Sequence, residues 1–128
     1  MATILVVDDE PDVVEIVRFC LEREGHAVVS AADGPTGLVV AFTRAPDLVI
    51  LDVMMPGMDG FEVLRRMKND ARTAQTPVIL LTAKADFSSV ATGWNMDVDN
   101  YVTKPFEVDE LAETVRNVLA FRGKVTPA

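Results

Sequence analysis

Residues 48–52 read Leu-Val-Ile-Leu-Asp, and residues 3–9 read Thr-Ile-Leu-Val-Val-Asp-Asp. Each is a short unbroken apolar run, rich in branched residues and closed abruptly by aspartate. Successive side chains of a strand point to opposite faces, so continuous apolarity means that neither face meets water. Strands covered on both sides belong to parallel sheets flanked by helices.

The rest of the chain supplies those helices. Pro11 can open one in which Val13, Ile16 or Val17, and Cys20 recur every three to four residues, and Gly25 can close it in a left-handed cap. Ala27 to Ala31 is a weaker second strand. Asp33-Gly34 marks the turn into a helix carrying Leu38, Ala41 and Phe42, which Pro46-Asp47 ends. Phe61, Leu64 and Met67 have helical spacing after the turn-rich stretch from Asp52 to Gly60. Pro77 to Leu81 is the fourth strand, with proline at its first position where no ladder donor is lost. A helix over Phe87–Trp94, a short strand near Asn100 to Val102, and a last helix with Leu111, Val115, Val118 and Leu119 on one face complete the series. Such βα repetition predicts an α/β domain, a doubly wound five-stranded parallel sheet with helices on both faces. One domain over residues 1–121 is expected, with 122–128 a C-terminal tail or the start of a linker.

Composition narrows the function. The 128 residues carry 12 Lys+Arg against 20 Asp+Glu, a net charge of −8. That balance argues against direct binding to nucleic acid, where affinity comes from neutralising phosphates, and against docking on an anionic membrane. A single cysteine excludes an internal disulfide and suits a reducing, cytoplasmic setting. The first apolar run is too short for a signal peptide or a spanning helix. Cys20 reads as a core thiol, His26 as a solvated turn residue, and Met54, Met55 and Met58 as local packing and loop. Asp97 and Asp99 lack the spacing of a calcium-binding loop.

Ligands of open α/β sheets bind beyond the carboxyl ends of the strands. The residues there are Asp8 and Asp9 after the first strand, Asp52 after the third, Thr82 after the fourth, and Thr103-Lys104 after the fifth. If the first and third strands are neighbours, three carboxylates repel one another until a cation relieves them. Oxygen ligands suit Mg²⁺, whereas a zinc site lacks its thiolates and imidazoles, with only Cys20 and His26 in the chain. No glycine-rich nucleotide loop follows any strand.

These same residues carry a likeness. Asp8-Asp9, Asp52 with Met55-Pro56-Gly57-Met58-Asp59-Gly60, Thr82-Ala83, and Tyr101-Val102-Thr103-Lys104-Pro105-Phe106, in this order and at these separations, resemble the receiver domain of bacterial two-component response regulators. The likeness spans about Thr3 to Leu119 and implies the flavodoxin-like strand order 2-1-3-4-5.

It further implies that Asp52 is the phosphoacceptor, taking a phosphoryl group from a sensor histidine kinase or phosphotransfer protein. Mg²⁺ would be held by Asp9, Asp52 and the backbone carbonyl of Met54, with Asp8 reaching it through water or positioning Asp9. Lys104 would neutralise the transferring oxygens. Thr82 and Tyr101 would act as the switch pair, and the Lys104-Pro105 peptide would be cis. Output would be a change in binding of a downstream effector protein or domain at the face of the fourth helix, fifth strand and fifth helix. Such a protein is not an enzyme in the ordinary sense, although it assists its own phosphorylation and dephosphorylation. Met54 and Lys84, two residues past the acceptor and the switch threonine, would tune how long the phosphoryl group survives; neither offers an acid or amide to orient water, so a long lifetime is expected. A monomer is expected before phosphorylation, with dimerisation afterwards left open.

The chain departs from the family pattern at Asn95 to Asn100, which is bulkier and more acidic than the usual small turn before the tyrosine. Two other readings compete. One is a Mg²⁺-dependent hydrolase with an aspartate nucleophile, as in haloacid dehalogenase-like phosphatases, but those place a second acid where Met54 stands. The other is a docking module that works without phosphorylation.

Overall fold

The computed structural model describes residues 1–83 and 99–125. In chain order they form β1 (Thr3–Val7), α1 (Pro11–Arg23), β2 (Ala27–Ala31), α2 (Gly34–Arg44), β3 (Leu48–Asp52), α3 (Gly60–Lys68), β4 (Val78–Ala83), β5 (Asn100–Lys104) and a C-terminal helix (Val108–Val125). All strand pairings are parallel and the order is β2-β1-β3-β4-β5. The helix expected over Phe87–Trp94, Lys84, and most of the unusual Asn95 to Asn100 segment lie outside the described residues. Among those described, no helix is long and apolar enough to cross a membrane.

Local chemistry explains where the helices begin and end. Pro11 sits in the first turn of α1, where its missing N–H is no loss, and Gly25 follows the helix at φ 92°. Asp33 caps α2 by accepting from the Thr36 N–H at 2.8 Å, and Asp59 caps α3 by accepting from the Glu62 N–H at 2.9 Å. Each aspartate thereby satisfies a donor that the helix cannot.

The sheet divides the core in two. Ile4, Val6, Leu48, Ile50, Ile79, Leu81 and Val102 face α1 and the C-terminal helix, packing on Val17, Leu21, Leu111 and Val115. Their alternates Leu5, Val7, Val49, Leu51, Val78 and Leu80 face α2 and α3, packing on Leu38, Val63, Leu64 and Met67. Every residue of β3 is buried. The reading of the two apolar runs as strands covered on both sides therefore holds, and it puts β3 in the middle of the sheet.

Two strands run further than expected. β4 continues through Thr82 and Ala83, and β5 through Thr103 and Lys104, because the ladder pairs Thr82 with Thr103 and Ala83 with Lys104. These residues look like the start of a loop by composition, yet the backbone pairing extends past the apolar stretch. His26 also differs from expectation. It is half-buried rather than simply solvated, and its Nδ1 accepts the Ala2 N–H at 3.1 Å, tying the starts of β1 and β2.

The entry to α3 is tight. A Cβ on Gly60 would lie 2.3 Å from the Asp52 carbonyl oxygen and 2.9 Å from the Val53 Cα, while the Gly60 N–H donates to the Val53 carbonyl at 2.9 Å. Gly60→Ala should therefore destabilise the protein by about 2 kcal/mol or more despite alanine's better helix propensity, since backbone cannot yield as a side-chain end can. Urea unfolding at neutral pH measures the loss.

Candidate functional site

The register decides what meets at the carboxyl edge of the sheet. β1 and β3 are hydrogen-bonded neighbours with Val7 opposite Leu51, so the residues that follow, Asp8 and Asp52, come together. Both are buried, at 1% and 3% exposure, although carboxylates seldom are. Asp9 and Glu10 stand beside them at the exposed rim. One carboxylate oxygen from each of Asp8, Asp9, Glu10 and Asp52 lies within 4.8 Å of the others. Of these four, Glu10 escaped the sequence reading. It lies directly after the aspartate pair and before a helix-opening proline, a position that reads equally well as an ordinary first-turn acid.

Lys104 answers this charge from the far strand. Its ammonium donates to Asp8 Oδ2 at 3.0 Å and to Glu10 Oε1 at 3.2 Å, and stands 3.4 Å from Asp52 Oδ1. The Lys104–Pro105 peptide that follows is cis. Burial alone would lower the lysine's pKa. The hydrogen bond to Asp8, the charges of Asp52 and Asp8, and the bond to Glu10 outweigh it and raise the pKa above the ordinary value.

Asp52 is less well served. Its Oδ1 accepts a long hydrogen bond from the Met54 N–H at 3.3 Å, while Oδ2 is buried without a hydrogen-bond partner. Burial first, and the negative charge of Asp8 second, push its pKa from 3.8 up to about 6, against the lowering effects of Lys104 and the Met54 N–H. A buried, unpartnered carboxylate oxygen among three further carboxylates is a poor arrangement for stability and a ready one for a hard cation.

Of the remaining sequence candidates, Thr82, Tyr101 and Met54 are among the described residues and Lys84 is not. Thr82 is buried near the end of β4, its hydroxyl 3.2 Å from the Ala83 carbonyl, to which it donates. Tyr101 is half-buried against the α2–α3 core. Met54 is 60% exposed two residues past Asp52, whereas Met55 is buried. Asp99 does not join this edge; its Oδ2 accepts the Val78 N–H at 2.8 Å at the opposite end of β4. Cys20 is buried as expected, its thiol 3.2 Å from the Val108 carbonyl.

Comparison with known proteins gives this edge its context. A family model for the response regulator receiver domain matches residues 4–116. The chain is 39% identical over its full length to the DNA-binding dual master transcriptional regulator RpaA of Synechocystis, covering 53% of that protein. It is 38% identical to protein PilH of Pseudomonas aeruginosa, across 94% of this chain and 99% of PilH. Among solved structures, the chemotaxis protein CheY4 of Vibrio cholerae superposes with a TM-score of 0.86 at 31% identity, covering 92% of this chain and 98% of that one. A response regulator receiver domain protein from Clostridium thermocellum superposes at 0.90 with 28% identity, covering 98% and 100%. The chain belongs to the response regulator receiver domain family, whose general function is that of a phosphoacceptor switch in two-component signalling. It spans about half the length of the first curated relatives it matches, 53% of RpaA for example.

The raised pKa of Asp52 has a stability consequence. The folded protein keeps a proton that the unfolded chain releases between about pH 4 and 6, so this group's contribution falls as pH rises through that window. A shift from 3.8 to about 6 is equivalent to about 3 kcal/mol. In metal-free buffer Asp52→Asn should therefore be more stable than wild type at pH 7.5, by up to that amount, with the difference shrinking towards pH 4. Chemical denaturation of both proteins across this range reads it directly.

Proposed function

We propose that the protein is a Mg²⁺-dependent signalling switch that accepts a phosphoryl group on Asp52 from a phosphohistidine of a sensor kinase or phosphotransfer protein. The observation that carries this reading is the buried Asp52 carboxylate, with one oxygen unpartnered and Lys104 3.4 Å from the other. A carboxylate oxygen attacks phosphorus as the donor's P–N bond breaks, and the bonding pair leaves with the imidazole nitrogen. The product is an acyl phosphate. Little covalent chemistry is asked of the protein beyond this, so positioning and charge neutralisation carry the rate.

The residues present suit Mg²⁺: an all-oxygen set in which Asp9, Asp52 and the Met54 carbonyl would hold the ion and Asp8 would reach it through water or orient Asp9. Glu10 belongs to the same cluster and joins the candidates. Bound there, the ion would neutralise charge on the transferring phosphoryl oxygens. Lys104 is already held at the edge by Asp8 and Glu10, ready to pair with the incoming group as a compact charge.

Approach to the acceptor is apolar. Ile16 and Phe19 on α1 are exposed, and a cleft of about 320 Å³ is lined by Val13, Ile16, Pro105 and Phe106 together with Glu10 and Lys104. A protein donor can seat on this surface with its phosphohistidine aimed at the edge.

On this reading Thr82 and Tyr101 report the modification, and the output is a changed affinity for an effector at the face of β5 and the C-terminal helix, together with the helix expected over Phe87–Trp94. Residues 1–121 act as the receiver unit and 122–128 as a tail or linker start, although the C-terminal helix itself continues through Val125. The net charge of −8 disfavours direct contact of this domain with nucleic acid, which supports an output made through protein contacts. The cytoplasm is the setting in which such kinases and effectors meet.

Intact mass after incubation with Mg²⁺ and a small acyl-phosphate donor tests the reading. Wild type should gain one phosphoryl group, Asp52→Asn none, and chelation of the metal should abolish the gain. Turnover of a stable phosphate ester without mass gain would favour the hydrolase instead, and no reaction with either small or protein donors would leave only a docking role.

Persistence of the group should depend on Met54, which is exposed beside the acceptor and holds no water-orienting atom on its side chain. Met54→Asn supplies an amide there and should shorten the phosphoryl half-life several-fold, or about 1 kcal/mol in barrier. Decay of the phosphorylated mass against time measures it; an unchanged half-life rules out this residue as the determinant.

A further inference from the structure

The loop of residues 53–59 carries the Met54 backbone that faces Asp52, and its position matters to every proposed step. At its base the loop is closed by the Gly60 N–H bond to the Val53 carbonyl at 2.9 Å. Within it Met55 is buried in the α2–α3 core, and Gly57 turns the chain at φ 76°. Met58 then reaches sideways to a different element, the first turn of α2.

The contact is close and specific. A Cβ on Gly34 would lie 2.9 Å from Met58 Cβ and 3.0 Å from both Cγ and Sδ, so the methionine occupies the space that any other residue at position 34 would fill. The same turn of α2 is seated on the acidic edge from the other side. A Cβ on Gly37 would lie 2.8 Å from Val7 Cγ2, and Val7 immediately precedes Asp8. Two glycines one turn apart thus bring a single helix end against both the strand that delivers Asp8 and the loop that delivers Met54. Asp33 fixes that helix end through its bond with the Thr36 N–H.

We propose that Met58 is a positioning residue for the acceptor site: seated in the notch left by Gly34, it ties the 53–59 loop to α2 and so sets the Met54 backbone against Asp52. Met58 touches neither the acceptor nor the acidic cluster by any contact described above; it acts through the loop. The Met54 N–H to Asp52 bond, at 3.3 Å, is already long, so a small loop displacement would break it. The inference rests on the proposed Mg²⁺-dependent acceptor function.

The test compares wild type, Met58→Ala, Met58→Leu and Gly34→Ala, with Mg²⁺ affinity by calorimetry, the Met54 amide resonance by NMR, and phosphorylation rate with a small acyl phosphate. Met58→Ala should shift the Met54 amide and weaken Mg²⁺ binding about 10-fold, the usual effect of losing a group that orients a metal ligand. Met58→Leu refills the notch at similar volume and should recover most of that loss. Gly34→Ala should resemble Met58→Ala, because it expels the side chain from its seat. Met58 is only partly buried, so Met58→Ala carries the test even if Gly34→Ala folds poorly. Wild-type Mg²⁺ affinity and an unmoved Met54 amide in Met58→Ala would overturn the proposal and reduce the contact to packing. Failure of wild type itself to bind Mg²⁺ or gain a phosphoryl group would instead count against the acceptor function.

Discussion

Two aspartates that end adjacent parallel strands in register cannot avoid each other. With Val7 opposite Leu51, the chain delivers Asp8 and Asp52 to the same place, and the packing on both sides of the sheet leaves neither free to swing into water. A protein selected for stability alone would dispose of this repulsion by replacing one of the pair. Here it is retained and partly balanced by Lys104, which reaches from β5 past the intervening β4. The balance is incomplete, since Asp52 keeps an oxygen with no partner and a raised pKa. Such local violations of the rules of burial mark functional sites.

The same constraint shapes the surrounding backbone. Holding Asp52 at the end of a central strand means that the chain must leave the sheet immediately and turn back into α3. Gly60 permits that turn because its missing side chain lets the helix start pass directly over the Asp52 and Val53 backbone. Gly34 and Gly37 do the corresponding work for α2, bringing its first turn onto the same edge. Close approach, rather than conformational freedom, is what these three positions require: a methyl group would meet the Asp52 and Val53 backbone at Gly60, the Val7 side chain at Gly37 and the Met58 side chain at Gly34.

Much of this was legible in the sequence where a single local pattern decides the outcome. The continuous apolar runs at Thr3–Val7 and Leu48–Leu51 specify two buried strands because no other arrangement hides both alternating faces. The Asp33-Gly34 turn marks the entry to α2, where the structure finds Asp33 as the cap, whereas the capping role of Asp59 is hidden within a turn-rich stretch. What pattern could not supply depends on partners distant in sequence. The extension of β4 and β5 through Thr82 and Lys104 comes from pairing between them, and composition alone reads these polar residues as loop. The strand order entered through family resemblance rather than through hydrophobic periodicity. Glu10 is tied to the acidic cluster by its N–H bond to Asp8 Oδ1 at 2.9 Å and by the ammonium of Lys104, and the seat of Met58 on Gly34 joins a loop to a distant helix start and leaves no local signature.

The division of the core into two layers has a consequence for how a signal could travel. Side chains alternate along a strand, and Ile50 and Val6 belong to the layer under α1 and the C-terminal helix, so Asp52 and Asp8 project to that side. Lys104 follows Val102 by two and lies on the same side, which is how it meets them. Tyr101 packs into the other layer, opposite Leu80, and Thr82 shares that side by the same alternation. The sheet is therefore a partition, with the proposed acceptor chemistry on one side of it and the proposed reporters on the other. On the proposed function, a phosphoryl group on Asp52 would be sensed around the rim of the sheet, where Thr82 lies one residue past the partner of Asp52 on β4, because the two core layers among the described residues are apolar.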